Sequence, residues 1–144
     1  MSFARKCISV LKYGVQTAAI AYCIVEFVAD LVVCSGASME PTIRTRDILI
    51  TEHVSVALSN IQRGDIVVSK SPCDPTQYIC KRVKAVAGER SRRGVVPVGH
   101  VWLQGDNDTN STDSRMYGPV PIGLIRGRAI CRVWPPERVT LFRR

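Results

Sequence analysis

Hydrophobic and polar positions divide the chain into a long apolar run near the start and shorter alternating runs after it. Residues 13–33, YGVQTAAIAYCIVEFVADLVV, match the ~20 residues a helix needs to cross a hydrocarbon core. Glu26 and Asp30 fall four apart in this run, so on a helix they share one face and require a partner or the headgroup region. The expected element is a transmembrane helix over 13–33, with an amphipathic core or surface helix as the competing reading. From residue 34 onward, runs rich in Val and Ile are separated by Gly, Pro, Asn and Asp. Strands are expected over 47–51, 65–69, 78–86, 95–103 and 124–133. Residues 52–62 are expected to hold a short helix or a loop, 88–94 a charged turn and 105–118 a polar loop. No internal repeat or long helical period follows the first segment.

The 144 residues suit one small domain with an appendage. Their division is expected to be a basic segment over 1–12, the membrane helix over 13–33 and an all-β domain over 34–144. Arg5, Lys6 and Lys12 precede the apolar run, and no acidic residue occurs among the first twelve. That asymmetry keeps the N-terminus on the side where the protein is made or imported and sends the remainder across the membrane. A removed targeting peptide is the alternative, although the run is long for one and lacks a clear small-residue exit. Twenty Lys and Arg against twelve Asp and Glu give a net charge of +8, which suits anionic lipid or nucleic acid. No nucleic-acid-reading motif accompanies the charge, so a nucleic-acid partner is not expected.

Three segments carry candidate chemistry. Ser38 lies in the small-residue turn SGASMEPT, where Pro41 removes a backbone donor and prevents a regular ladder. A turn or capping serine is the ordinary reading of such a cluster. Lys81 is more informative, because a period of two places it with Ile79, Val83 and Ala85 on an apolar face, while Arg82 and Lys84 face solvent. Either it snorkels to water at the sheet edge, or burial lowers its pKa and makes its amine a base near neutral pH. His53 and His100 stand in no recognisable triad or metal motif, so a nucleophilic serine here would use lysine as its base. The third segment, GDNDTNSTDSR over 105–115, is dense in short polar residues, and Asp113 with Arg115 is expected to rigidify it. Six cysteines make no disulfide framework, with a Cys73–Cys80 bridge left open, and neither a metal spacing nor a cofactor motif is present.

SMEPT at 38–42, RGDIVV at 63–68, KRVKAVAGE at 81–89, and GDNDTNSTDSR with GPV over 105–120 together resemble the type I signal peptidases. The short chain, CSGASMEPTI, ICKRV and GHVWLQGDN are most similar to the family's mitochondrial inner-membrane members. The resemblance implies a small antiparallel sheet or barrel-like catalytic domain behind one anchoring helix. It also implies a Ser-Lys dyad, with Ser38 as nucleophile and Lys81 as general base. Ser111 matches the serine that hydrogen-bonds the lysine, and Asp113 and Arg115 match residues that brace the site. Asp106 and Asn107 are expected to shape the same wall, while Met39 and Pro41 belong to the nucleophile motif. Some bacterial members carry a serine where this chain has Gly36, which leaves the Ser38 backbone N–H as the main identifiable oxyanion donor. The implied substrates are precursor proteins with cleavable sorting signals, cut on the intermembrane-space side, and the implied partner is a second, related protease subunit. A bacterial-type general signal peptidase, a self-cleaving repressor-type peptidase and a non-catalytic basic membrane adaptor are the rival functions.

Overall fold

The computed structural model describes residues 2–143, without the side chains of residues 2–7, 24 and 25. The side chains of Arg5, Lys6 and Cys7 therefore lie outside what it describes. The chain opens with helix α1 (Ser2–Phe27), which exposes Ile8, Leu11, Val15, Ile20 and Phe27. The helix expected over 13–33 is corrected at its end, because residues 29–33 form strand β1 (Ala29–Val33). β1 pairs antiparallel with β2 (Ile48–Glu52), from Ala29 against Glu52 to Val33 against Ile48. Two successive valines favour the extended chain, and Asp30 finds its partners in the sheet. Its carboxylate accepts from the Thr51 hydroxyl and from Arg126 Nε. Among the described residues, no helix is long and apolar enough to cross a membrane.

The remaining elements are α2 (Val54–Ala57), β3 (Ile66–Lys70), β4 (Tyr78–Val86), β5 (Arg90–Ser91) and β6 (Gly94–Val95), followed by β7 (His100–Gln104), α3 (Ser114–Tyr117), β8 (Val120–Pro121), β9 (Ile125–Trp134) and β10 (Thr140–Leu141). The main sheet is antiparallel and curled into a half-barrel, in the order β1-β2-β9-β3-β4-β7-β8, with β10 added to β9. Strand expectations hold within a residue or two except over 95–103. There Pro97 lacks an amide donor and Gly99 turns with φ +75°, which splits the run into β6 and β7. β6 pairs only with β5, so the charged turn expected over 88–94 is a small hairpin.

The central strands are buried on both faces. Val67, Val83, Val101, Leu103 and Ile125 pack on one side, and Met39, Ile43, Leu49, Ile66 and Ala129 on the other. Full burial of each such Val, Leu or Ile stabilises by about 1.5–3 kcal/mol. Two-sided packing explains why Ile66, Val67, Val68 and Ser69 are all buried in succession. It also holds the two loops that leave the sheet beside the first half of β4.

Candidate active site

Ser38 is carried on the connection between β1 and β2. Its base is closed by two hydrogen bonds, Cys34 N–H to the Asp47 carbonyl and Arg46 N–H to the Cys34 carbonyl, each 2.8 Å. Asp47 is buried beneath it and accepts from the Arg44 N–H at 2.9 Å, from Arg132 at 3.2 Å and from Arg138. Arg132 also donates to the Thr42 carbonyl at 2.6 Å, tying the loop to β9. Met39 and Ile43 are driven into the core, and Ser38 between this plug and the loop crest stays half-buried. Pro41 is exposed on the return of the loop. Gly36 has φ +92° with no atom within 4 Å of an added Cβ, so backbone conformation rather than lack of space calls for glycine there.

Lys81 sits on β4 opposite Val67 of β3, and Val83 is buried after it in the same cluster as Val67, while a register shift past Val83 sends Ala85 into a separate cluster with Val96 and Trp102. The alternation expected from sequence therefore holds from Ile79 to Val83 and is broken before Ala85, and Lys81 is 4% exposed rather than snorkelling. Burial lowers its pKa from the ordinary lysine value, Asp113 and Cys80 pull upward, and Arg115 adds to the lowering. Among the described residues, no carboxylate lies within ion-pair distance of its amine. Ser38 and Lys81 line one cleft of about 190 Å³, together with Cys34, Gly36, Ile79 and Cys80.

The far wall is built by residues 105–115, and Asp113 is its hub. This fully buried carboxylate accepts from the Ser111 hydroxyl at 2.7 Å, the Gly105 N–H at 3.0 Å and the Arg115 guanidinium at 2.8 and 2.9 Å. It also caps α3 by accepting from the Arg115 N–H. Burial pushes its pKa up, but these donors outweigh it and hold the carboxyl at about 2. Ser111 is thus anchored to Asp113. One step past the last β4–β7 pair, Arg82 with Gln104, lie Lys81 and Gly105. A Cβ on Gly105 would overlap both the Ser111 hydroxyl and the Ser38 carbonyl, which places the Ser38 loop in contact with residues 105–115.

Asn107 fixes the backbone of Ser38. Its N–H donates to the Ser38 carbonyl at 3.0 Å, and its side-chain amide donates to the Ala37 carbonyl at 3.1 Å. In a trans peptide the N–H points away from the preceding carbonyl, so holding the Ala37 oxygen toward Asn107 turns the Ser38 N–H to the opposite side. Among the described residues, no protein acceptor takes that N–H. Asp106 forms a two-pronged pair with Arg82 at 2.7 and 2.8 Å, and Arg82 continues to the Gly64 carbonyl at 2.9 Å. This corrects the expectation that Arg82 is simply solvated.

Every residue expected at the site falls on the cleft or on its two supporting loops. Gly105, Asp47 and Arg132 were not expected, because their roles depend on crowding and long-range pairing that no local pattern encodes. Cys73 is exposed and free, and the thiol beside Cys80 is Cys34 instead. His53 contacts the Glu26 carbonyl and Asp30, His100 contacts the Val98 carbonyl, and neither lines the cleft.

Residues 7–94 and 89–134 match the family described as signal peptidase, peptidase S26. The chain is 51% identical over 133 residues to mitochondrial inner membrane protease subunit 1 of Mus musculus, covering 85% of this chain and 80% of that protein. It is 49% identical over 142 residues to the subunit 1 protein of Xenopus tropicalis, covering 92% and 85%. Mitochondrial inner membrane protease subunit 2 of Mus musculus is similar at 36% over 150 residues, covering 95% and 86%.

Proposed function

The chain belongs to the signal peptidase family, peptidase S26, as a signal-peptidase-type serine protease of the mitochondrial inner membrane, and we propose that Ser38 and Lys81 form its catalytic dyad. The carrying observation is that a half-buried serine and a desolvated, unpaired lysine line the same cleft. Neutral Lys81 takes the Ser38 hydroxyl proton as the oxygen attacks the scissile carbonyl. The developing oxyanion meets the free Ser38 N–H, and the lysine returns its proton to the leaving amine. Water then attacks the acyl-enzyme, with Lys81 again accepting a proton.

The first half of β4 supplies the substrate's bed. Residues 78–81 pair with β3 on one side, while their ladder to β7 begins only at Arg82, so the other edge opens onto the cleft. An extended precursor segment adds there as a strand, with its cleavage point at Ser38. The substrates are sorting signals of proteins directed to the intermembrane space. Helix α1 attaches the protein to the inner membrane, and residues 29–144 face the intermembrane space. A second, related subunit is the assembly partner, a reading supported by the similarity to both mitochondrial subunits.

The test is cleavage of a panel of presequence peptides by membranes containing the wild type or Ser38→Ala. Cleavage lost in the folded variant supports the reading, and equal cleavage by both rejects it. Protease protection in mitoplasts tests the topology separately, since a C-terminus retained in a matrix-protected fragment would reject it.

A further inference from the structure

Two cysteines outside the proposed chemistry meet at the wall of the cleft. Cys34 is buried, Cys80 is half-buried, and both pack in the cluster formed by Met39, Ile43, Leu49 and Ile66. Each thiol perturbs the other's titration. Both line the cleft that holds Ser38 and Lys81, and both line an adjoining hollow of about 70 Å³ with Val68 and Tyr78. A single buried cysteine is ordinary apolar filling. A facing pair open to two hollows has a reactant's access.

Their places in the chain give the pair leverage. Cys34 closes the base of the Ser38 loop through its hydrogen bonds with Asp47 and Arg46, and Cys80 immediately precedes Lys81. We infer that Cys34 and Cys80 are an oxidisable dithiol whose disulfide draws the nucleophile loop against the base's strand and silences the protease until it is reduced. The silencing rests on the proposed dyad, whereas the bond itself does not.

The chemistry is thiol–disulfide exchange with a low-molecular-weight or protein disulfide, R–S–S–R. The Cys34 thiolate attacks one sulfur of the oxidant and expels one thiolate. Cys80 then loses its proton, attacks the Cys34 sulfur and expels the second. Two protons and two electrons pass to the oxidant, which leaves as two R–SH. The neighbouring Cys80 lowers the Cys34 pKa against the opposing effect of burial, whereas that proximity and burial raise Cys80, so Cys34 leads. A disulfide closes the sulfurs to about 2.05 Å, shorter than any non-bonded contact. Catalytic misplacement of ~1 Å costs on the order of 10²-fold in rate.

The experiment equilibrates the purified full chain in detergent with oxidised glutathione, then follows intact mass, non-reducing peptide maps and presequence-peptide cleavage. Each variant's rate is normalised to its own reduced rate. Wild type should lose two hydrogens, yield a Cys34–Cys80 crosslinked peptide and fall about 10²-fold, with recovery in dithiothreitol. Cys34→Ser, Cys34→Ala and Cys80→Ser should lose this oxidant response, and Cys73→Ser should keep it. A Cys73–Cys80 crosslink, absence of a 34–80 crosslink, or a crosslinked enzyme cleaving at its reduced rate would overturn the inference. A 34–80 crosslink in a chain whose reduced form cleaves nothing would support the dithiol site and count against the dyad.

Discussion

Ser111 gives its hydroxyl proton to Asp113 across 2.7 Å, and the direction of that bond is forced. With its pKa held at about 2, Asp113 is a carboxylate at neutral pH and only accepts. Ser111 therefore keeps only lone pairs for a further donor, and its proposed role has Lys81 as that donor. An amine N–H directed to them leaves the nitrogen's own lone pair for the Ser38 proton. Ser111→Ala should lower kcat by about 10- to 10²-fold, part of the range ascribed to positioned acid–base catalysis, while KM and the melting temperature change little. Steady-state kinetics beside thermal unfolding check this, and an unchanged kcat would reduce the loop to a structural role.

Lys81 is desolvated, so its pKa lies below the ordinary lysine value. The cleavage rate should rise with pH as the amine deprotonates, reaching its plateau below the ~10.4 at which an exposed lysine titrates. Because the folded pKa is the lower one, the unfolded chain binds more protons, and this residue's penalty on stability fades as pH rises from the folded to the unfolded pKa. Lys81→Met should be inactive and more stable at pH 7, with the gain shrinking toward pH 10. Lys81→Arg keeps the charge but supplies no neutral amine, and should be inactive as well. A pH–rate profile and denaturant titrations at both pH values decide the matter; substantial cleavage by folded Lys81→Arg would end the dyad.

Asp113 has the opposite linkage. Its folded pKa of about 2 lies below the ordinary 3.8, so its stabilisation is full above pH 4 and is lost as pH falls toward 2. Asp113→Asn should destabilise the fold by about 3–5 kcal/mol at pH 7, since it strands the buried bonds to Arg115 and Ser111. The difference from wild type should narrow across pH 4 to 2. Parallel unfolding curves that never converge would contradict this.

Asn107→Ala removes the donor to the Ala37 carbonyl but keeps the backbone bond to Ser38. With the Ser38 N–H less firmly aimed, kcat should drop about 10-fold with KM nearly constant, a partial loss of an oxyanion donor worth ~10²–10³ when removed outright. Gly105→Ala should be harsher, at about 10²-fold or more, because its Cβ must displace both Ser111 and Ser38. Equal kcat values for Gly105→Ala and wild type would dismiss the crowding.

Legibility followed the range of the interaction. Lys81 was readable because strand alternation is local and one charge between Ile79 and Val83 breaks it. β1 was not, because Leu31, Val32 and Val33 continue an apolar run and only their ladder to β2 distinguishes strand from helix. The motifs around Ser38 and residues 105–115 indicated the family and the cast. Arg82 was misread because its partner Asp106 comes from another loop, and Gly105 was overlooked because its importance is a shortage of space.

The Arg82–Asp106 fork has a consequence for parity. Lys81 and Arg82 occupy opposite faces of β4, so a shift of that strand by one residue would turn the amine away from the cleft and bring a permanently protonated guanidinium in. The same shift would pull Arg82 off Asp106 and bury a charge without its counterion. A frame error in β4 thus penalises itself energetically in the very act of removing the proposed base, and a misassembled chain is marked for unfolding.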